Sequence, residues 1–352
     1  MTTIMADKRV LIVAPFGYSN NQLDGQTIKV RSVYKLLFDH GVNVSYIDTK
    51  DLLHNWFLFF RLFGYLKKSG TVIFMPASRS LKPLCAFLIF FKKLFNYRIL
   101  YIGIGGWLID YIEGTSGYKA HPEVVPMLGK LYANLPELKK IAYTLVEKYK
   151  QTNVEYFPNF RFSGSLPISS HDSNDFRVVF LARVQIKKGI DTLMEFADYA
   201  KINSLRVSVD IYGQISPDDK EDIQLLLEKH KDIVSYKGYL EPSNIHDALS
   251  QYDVMAFPTH YYTEGIPGTV IDAYMSGLPV VATEWLHSHE IIENDKSGII
   301  VPFENPTKHF IKALMSLYTD RDRLKQLKAG ALEQREKYSE QSAWMTLSKY
   351  IQ

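Results

Sequence analysis

Glu264 and Asp272 are two carboxylates with seven residues between them, set in the stretch PTHYYTEGIPGTVIDAYMSGLPVVATEWLHSHEIIENDKSGIIV at residues 258–301. An apolar run at 254–257 breaks there into a polar, aromatic loop containing Gly265 and Gly268, and a helix is predicted to start near Thr269. The first N–H groups of a helix have no intrahelical partner and the dipole's positive end lies there, so strand, loop and helix start make an anion site. The two glycines let a phosphate approach the backbone. Two helical turns cover about seven residues, so the carboxylates read two ends of one elongated ligand rather than touching. A carboxylate accepts two hydroxyl hydrogen bonds at once, which suits a polyol. The plainer alternative is a solvated loop carboxylate and a helix-surface charge.

Upstream, the apolar run at 177–182 ends in Arg183, Lys187, Lys188 and Gly189. Fixed cations at that place stabilise negative charge developing on a leaving group without needing a proton or a nucleophile. A basic surface turn is the alternative.

These residues together carry a resemblance. Glu264 and Asp272, Ser276 to Thr283, Ser297 to Val301 and the Arg183, Lys188, Gly189 arrangement resemble the retaining nucleotide-sugar glycosyltransferases of the GT-B fold, family 4, with Asp272 replacing the second Glu and Lys187 a more usual Glu. The resemblance implies two Rossmann-like doubly wound parallel-sheet domains facing a cleft. It implies a nucleotide-diphosphate sugar as donor, with Glu264 on sugar hydroxyls, Asp272 on the ribose, and Arg183 and Lys188 on the diphosphate. Gly265, Gly268 and Thr269 belong to the same donor site, Gly213 lies near the phosphates, and the backbone of Tyr239 and Leu240 meets the base. It implies front-face substitution without metal or cofactor, the departing phosphate helping to deprotonate an acceptor hydroxyl. Gly25 matches the first N-domain loop, although the family's paired glycines appear here as Asp24 and Gly25, and a turn glycine is the alternative. The family's His-containing N-domain motif is missing; Trp107 and Asp110 stand in that region as acceptor-side candidates, Asp110 reading equally as a helix N-cap.

The elements that must position these groups follow from length and periodicity. A chain of 352 residues, 46% hydrophobic and 22% charged, exceeds one core and suits two domains. Apolar runs at 9–14, 43–47, 72–75, 99–104 and 154–162, then 177–182, 207–212, 234–239 and 254–258, alternate with helical patterns, as in doubly wound sheets. The predicted domains are 1–165, on the acceptor side, and 166–338, binding the nucleotide sugar. A last segment, 339–352, crosses back to the first domain, and a serine-rich linker is expected at 163–174.

Net charge is +3, but the first 165 residues are strongly basic and the rest acidic. No acid occurs between Asp51 and Asp110, where Arg61, Lys67, Lys68, Arg79, Lys82, Lys92, Lys93 and Arg98 fall. Predicted helices at 55–68 and 84–98 combine these cations with Trp, Phe, Leu and Tyr, a composition suited to an anionic membrane surface or, alternatively, to covering the sheet. The single cysteine, Cys85, and the absence of a signal-peptide pattern at the N-terminus point to a cytoplasmic protein, and the membrane reading of the two basic aromatic helices would make it peripheral on the inner face of the membrane. No nucleic-acid partner is expected. His260, His287 and His289 lack metal-ligand spacing, and Asp320 with Asp322 reads as solvated surface. The expected activity is transfer of a sugar to a glycan acceptor, in the fuller reading a lipid-linked one, for cell-surface polysaccharide or glycoconjugate synthesis. The alternatives are a nucleotide-sugar epimerase-type enzyme on the same fold and a non-catalytic nucleotide-sugar-binding module.

Overall fold

A computed structural model describes residues 9–19, 24–52, 57–163 and 175–351. The linker expected at 163–174 lies, except for Ser163, outside the described residues, as do Asn55 and Trp56. The chain divides into two units, Met1–Phe160 with Glu340–Gln352, and Arg161–Ser339.

In the first unit, strands β1 (Arg9–Ala14), β2 (Val44–Asp48), β3 (Ser69–Phe74), β4 (Arg98–Ile102) and β5 (Ala133–Leu135) form a parallel sheet in the order β2-β1-β3-β4-β5. Parallel strands covered on both faces read as continuous apolar runs, which is why β1, RVLIVA, is buried from Val10 onward. The three-residue β5 was not expected, being too short for a periodicity signal. The strand expected at 154–162 is corrected: no strand forms there, although Val154 bridges Asn134, the N–H groups of Glu155 and Phe157 donate to the carbonyls of Asn134 and Pro136 at 3.1 and 2.9 Å, and Arg161 bridges Ser339. Pro158 has no N–H, and that of Phe160 donates to Asn159 Oδ1 at 3.0 Å, so no ladder can run through.

The helix expected from residue 84 begins at Ser78 and runs to Phe95, with Pro83 inside it. Pro83 forfeits one backbone bond near the helix start, where the sequence reading placed a boundary. Phe63 of the helix Phe57–Lys68 meets Phe87 at 6.1 Å and Phe91 at 4.8 Å, joining the two aromatic helices. Other apolar side chains of these helices face outward: Phe57, Phe60, Phe90 and Leu94 are each more than 60% exposed. No helix among the described residues is long and apolar enough to cross a membrane.

The helix Gly25–Asp39 starts with a reciprocal capping box between Asp24 and Thr27 and carries a buried cation into the unit. Lys29 is fully buried; its Nζ donates to Glu137 Oε2 at 2.8 Å and to the carbonyl of Gly103 at 3.3 Å. Glu137 Oε1 in turn accepts from the N–H of Gly105 at 2.7 Å. Burial lowers the pKa of Lys29, and the Glu137 carboxylate opposes that shift. One ion pair thus ties the helix after β1 to the segments that leave β4 and β5. The helix Glu340–Ile351 joins the same unit, Trp344 stacking on His40 at 3.8 Å and Lys349 and Tyr350 meeting Glu155 at 2.6 and 2.5 Å.

In the second unit, β6 (Phe176–Leu181), β7 (Val207–Tyr212), β8 (Val234–Gly238), β9 (Val254–Phe257), β10 (Val280–Thr283) and β11 (Gly298–Val301) form a parallel sheet in the order β11-β10-β9-β6-β7-β8. Strand order reverses between β6 and β9, as in a doubly wound α/β sheet. Asp320 caps the helix Arg321–Lys337 by accepting from the N–H of Arg323 at 2.9 Å.

Breaking a buried pair by removing one partner costs about 3–5 kcal/mol, whereas an apolar pair of similar volume is often neutral. Glu137→Ala is therefore expected to lose about that much stability in urea unfolding, and Lys29→Met with Glu137→Leu to recover most of it.

Candidate functional site

The loops that leave β6 and β9 part company at the strand-order reversal, and ligands of open α/β sheets bind in the crevice left there. After β6 come Arg183, a short turn at Ile186–Lys188, and Gly189 opening the helix Ile190–Ile202. Gly189 has φ +83°, and a Cβ on it would stand 1.9 Å from the carbonyl oxygen of Pro258, the first residue after β9. Glycine is therefore required for the two loops to touch. The N–H of His260 donates to the carbonyl of Lys187 at 3.0 Å, and that of Ile186 to Asp219 Oδ2 at 3.0 Å, fixing the turn from both sides.

Across this contact Lys188 Nζ is ion-paired with Glu264 Oε2, and it also lies over the rings of Phe257 and Tyr261 at 5.8 and 5.9 Å. Both side chains are mostly buried at the edge of the crevice. Arg183 is exposed and has no acidic partner among the described residues. Gly213, φ +132°, closes the other flank: a Cβ would stand 1.8 Å from the carbonyl oxygen of Ala182, beside Arg183. His260 pairs with Asp191 at 2.9 Å, a bond that raises its pKa. Tyr239 and Leu240 follow β8, two strands from the reversal, with the Tyr239 ring outward.

The loop carrying Glu264 is held from below. Fully buried Trp285 donates its Nε1–H to the carbonyl of Gly265 at 3.1 Å and packs on Phe257 at 5.4 Å, while the N–H of Leu286 donates to the carbonyl of Tyr262 at 2.9 Å. The helix begins at Gly268, one residue before the expected Thr269, and runs to Met275.

Asp272 has company that the sequence did not reveal. Its Oδ1 accepts from Arg161 Nε at 2.7 Å and its Oδ2 from an Arg161 terminal nitrogen at 3.3 Å, with His246 at 3.5 Å. Burial by itself would raise the Asp272 pKa, but the Arg161 charge and His246 hold it below the ordinary value. Arg161 and His246 take up part of the acceptor capacity that the ribose contact expected of Asp272 would use. A Cβ on Gly268 would stand 2.0 Å from the Arg161 terminal nitrogen, so a side chain there would push the guanidinium aside.

In the first unit, Gly25 is the first residue of its helix with open space around an added Cβ, so packing does not demand a glycine there. Trp107 caps the helix Leu108–Glu113 and sets its ring edge-on to Tyr111 at 5.8 Å. Asp110 is not the N-cap: it occupies the first turn and accepts from Thr115 Oγ1 at 2.5 Å. Sequence reasoning missed Arg161, His246, Trp285 and the Lys29–Glu137 pair, each joined to its partner only by the fold.

Two parallel α/β sheets of these strand orders define a fold of the GT-B type. Sucrose-phosphate synthase from Thermosynechococcus elongatus superposes with a TM-score of 0.73 at 15% identity, covering 97% of this chain and 98% of that one. HepE of Anabaena, in a complex with UDP and glucose, gives 0.70 at 11%, covering 97% and 98%. Such identities establish the fold. Residues 175–320, within the second unit, match the family model described as glycosyl transferases group 1. WcaL of Escherichia coli K12, named as a candidate colanic acid biosynthesis glycosyltransferase, is 30% identical over 145 residues, 39% of this chain and 34% of WcaL. The chain matches about a third or less of the length of its curated relatives.

Gly189→Ala places a side chain at positive φ against a carbonyl, and left-handed strain costs about 1–3 kcal/mol before the clash; calorimetry should show at least that loss. Asp272, with its depressed pKa, contributes stability that is fully present above the unfolded value of about 3.9 and lost as pH falls through the lower folded value. Arg161→Met should remove that contribution at neutral pH, and the acid-unfolding midpoint should move upward.

Proposed function

We propose that this chain is a retaining glycosyltransferase that moves a sugar from a nucleotide-diphosphate donor to a hydroxyl of a glycan acceptor in the synthesis of a cell-surface polysaccharide or glycoconjugate. The observation that carries this reading is the convergence of Arg183, Lys188 and Glu264 at the strand-order reversal of the unit that matches glycosyl transferases group 1. The likeness to HepE, solved with UDP and glucose, supports a nucleotide-sugar donor.

In this reading Lys188 and Glu264 neutralise each other until the donor arrives. The diphosphate takes Lys188 and Arg183, and the freed Glu264 turns to the sugar hydroxyls. As the bond between the anomeric carbon and the diphosphate oxygen breaks, negative charge grows on the leaving group, and the fixed cations meet it. The departing oxygen takes the proton of the acceptor hydroxyl on the same face, where the new bond forms, so configuration is kept without a protein nucleophile. The scheme uses neither metal nor cofactor. Asp272 and Arg161 act as one unit beside the start of the Gly268 helix. A second reading, nucleotide-sugar binding without transfer, is favoured by the engagement of both Asp272 oxygens by Arg161.

A lipid-linked acceptor, met by a cytoplasmic protein peripheral on the membrane, is the finer form of the proposal. Exposed Phe57, Phe60, Phe90 and Leu94, with exposed Lys67, Lys68 and Lys93 on the same two helices, support it.

A nucleotide at about 100 times its dissociation constant adds about 2.7 kcal/mol of stability. One of UDP, GDP and ADP should shift unfolding of the wild type and fail to shift Arg183→Ala at the same concentration; a flat panel on folded protein would sink the donor assignment. Retention would appear by NMR as an unchanged anomeric configuration in the product, and a binding-only protein would give no product. The chain should sediment with phosphatidylglycerol vesicles at low salt and less so as Phe60→Ser with Phe90→Ser; failure to sediment removes the membrane part.

A further inference from the structure

The first unit holds an open pocket of about 510 Å³, lined by Arg79, Lys82, Tyr111, Tyr118, Lys119 and His121 with the first residues of the helix Ser78–Phe95. The volume falls within the roughly 300–1,000 Å³ of small-ligand sites. One wall follows β3 and the other follows β4, through the helix Leu108–Glu113. Those strands are neighbours, so the pocket lies beyond adjacent carboxyl ends, where open parallel sheets take ligands.

Its charge is one-sided. Glu123, the carboxylate beside it, pairs with Lys82 at 2.5 Å and with His121 at 3.1 Å. The Lys82 bond holds the Glu123 pKa down to about 2, so at neutral pH it stays ionised and offsets Lys82. Arg79 and Lys119 are exposed without an acidic partner among the described residues. The 18-residue helix adds the positive end of its dipole, and its N-cap, Ala77, has no side chain to cover the first N–H groups. The floor is aromatic: buried Tyr111 stacks on His121 at 4.3 Å, meets Tyr118 edge-on at 6.0 Å, and touches Trp107 on its far side. The N–H of His121 donates to the carbonyl of Tyr111 at 3.1 Å, so wall and floor are one assembly.

A pocket that sets two cations without acidic partners beside tyrosine and histidine side chains fits a sugar that bears an oxyanion. We propose that this pocket binds an anionic sugar of the acceptor, its phosphoryl or carboxylate group held by Arg79 and Lys119. The inference deepens the glycosyltransferase reading and rests on it for the word acceptor; the binding itself is tested separately.

Titration calorimetry with glucose 1-phosphate, glucuronate, glucose and inorganic phosphate decides it, on wild type and on Arg79→Gln with Lys119→Gln, each sample also titrated with UDP, GDP and ADP. At least one charged sugar should bind, at least about tenfold more tightly than glucose and than phosphate, and the double variant should weaken it about tenfold or more. Whether glucose 1-phosphate or glucuronate wins tells phosphoryl from carboxylate. No binding of either, equal binding of glucose or of phosphate, or an unaffected double variant would overturn the proposal. A chain that binds a nucleotide but neither charged sugar refutes the pocket and leaves the donor reading standing; the reverse refutes the donor reading.

Discussion

The backbone of Gly189 lying against the carbonyl of Pro258 is the contact on which the candidate site of the second unit depends. It brings the turn after β6 and the loop after β9 within one side chain's reach, and it does so where the strand order reverses and the crossovers diverge. Lys188, next in sequence to Gly189, then has no long approach to make to Glu264. Gly213 repeats the device one strand away, pressing the end of β7 against Ala182 so that Arg183 emerges between two fixed backbones. Groups that must meet developing charge without reorganising are best carried on loops of this kind.

Charge is handled in two ways. Where cations are buried, they are paired and hydrogen-bonded: Lys29 with Glu137, Arg161 with Asp272. Both pairs pin a segment to the core of their unit, Glu137 reaching the N–H of Gly105 and Arg161 standing beside Gly268. Where cations border open crevices, as Arg183, Arg79 and Lys119 do, no carboxylate answers them among the described residues.

Much of this was legible in the sequence because parallel strands buried on both faces are continuous apolar runs. The strands from Arg9 and from Phe176 onward, and the loop with Glu264, are examples, as is the carboxyl-edge placement of Arg183 and Lys188. Three-residue β5 was too short to register, and the run at 154–162 was apolar without being a strand, since its bonds to the β5 region stop at Phe157, Pro158 having no N–H and that of Phe160 going to the Asn159 side chain. Pro83 hid the start of its helix. The pairs were the harder loss: Arg161 and Asp272 are 111 residues apart and Lys29 and Glu137 are 108 apart, separations at which local pattern carries nothing. On the aromatic helices, half-buried Phe63, Phe87 and Phe91 pack on one another while Phe57, Phe60 and Phe90 are exposed, a division that the composition of the two segments did not show.

The most direct measurement is a crystal structure of the chain grown with UDP, GDP and ADP in turn at saturating concentration. The account predicts that for one of them the diphosphate oxygens stand within hydrogen-bond distance of Arg183 and Lys188, and that Glu264 has released Lys188. A bound nucleotide whose phosphates lie elsewhere, with the Lys188–Glu264 pair intact, would contradict it.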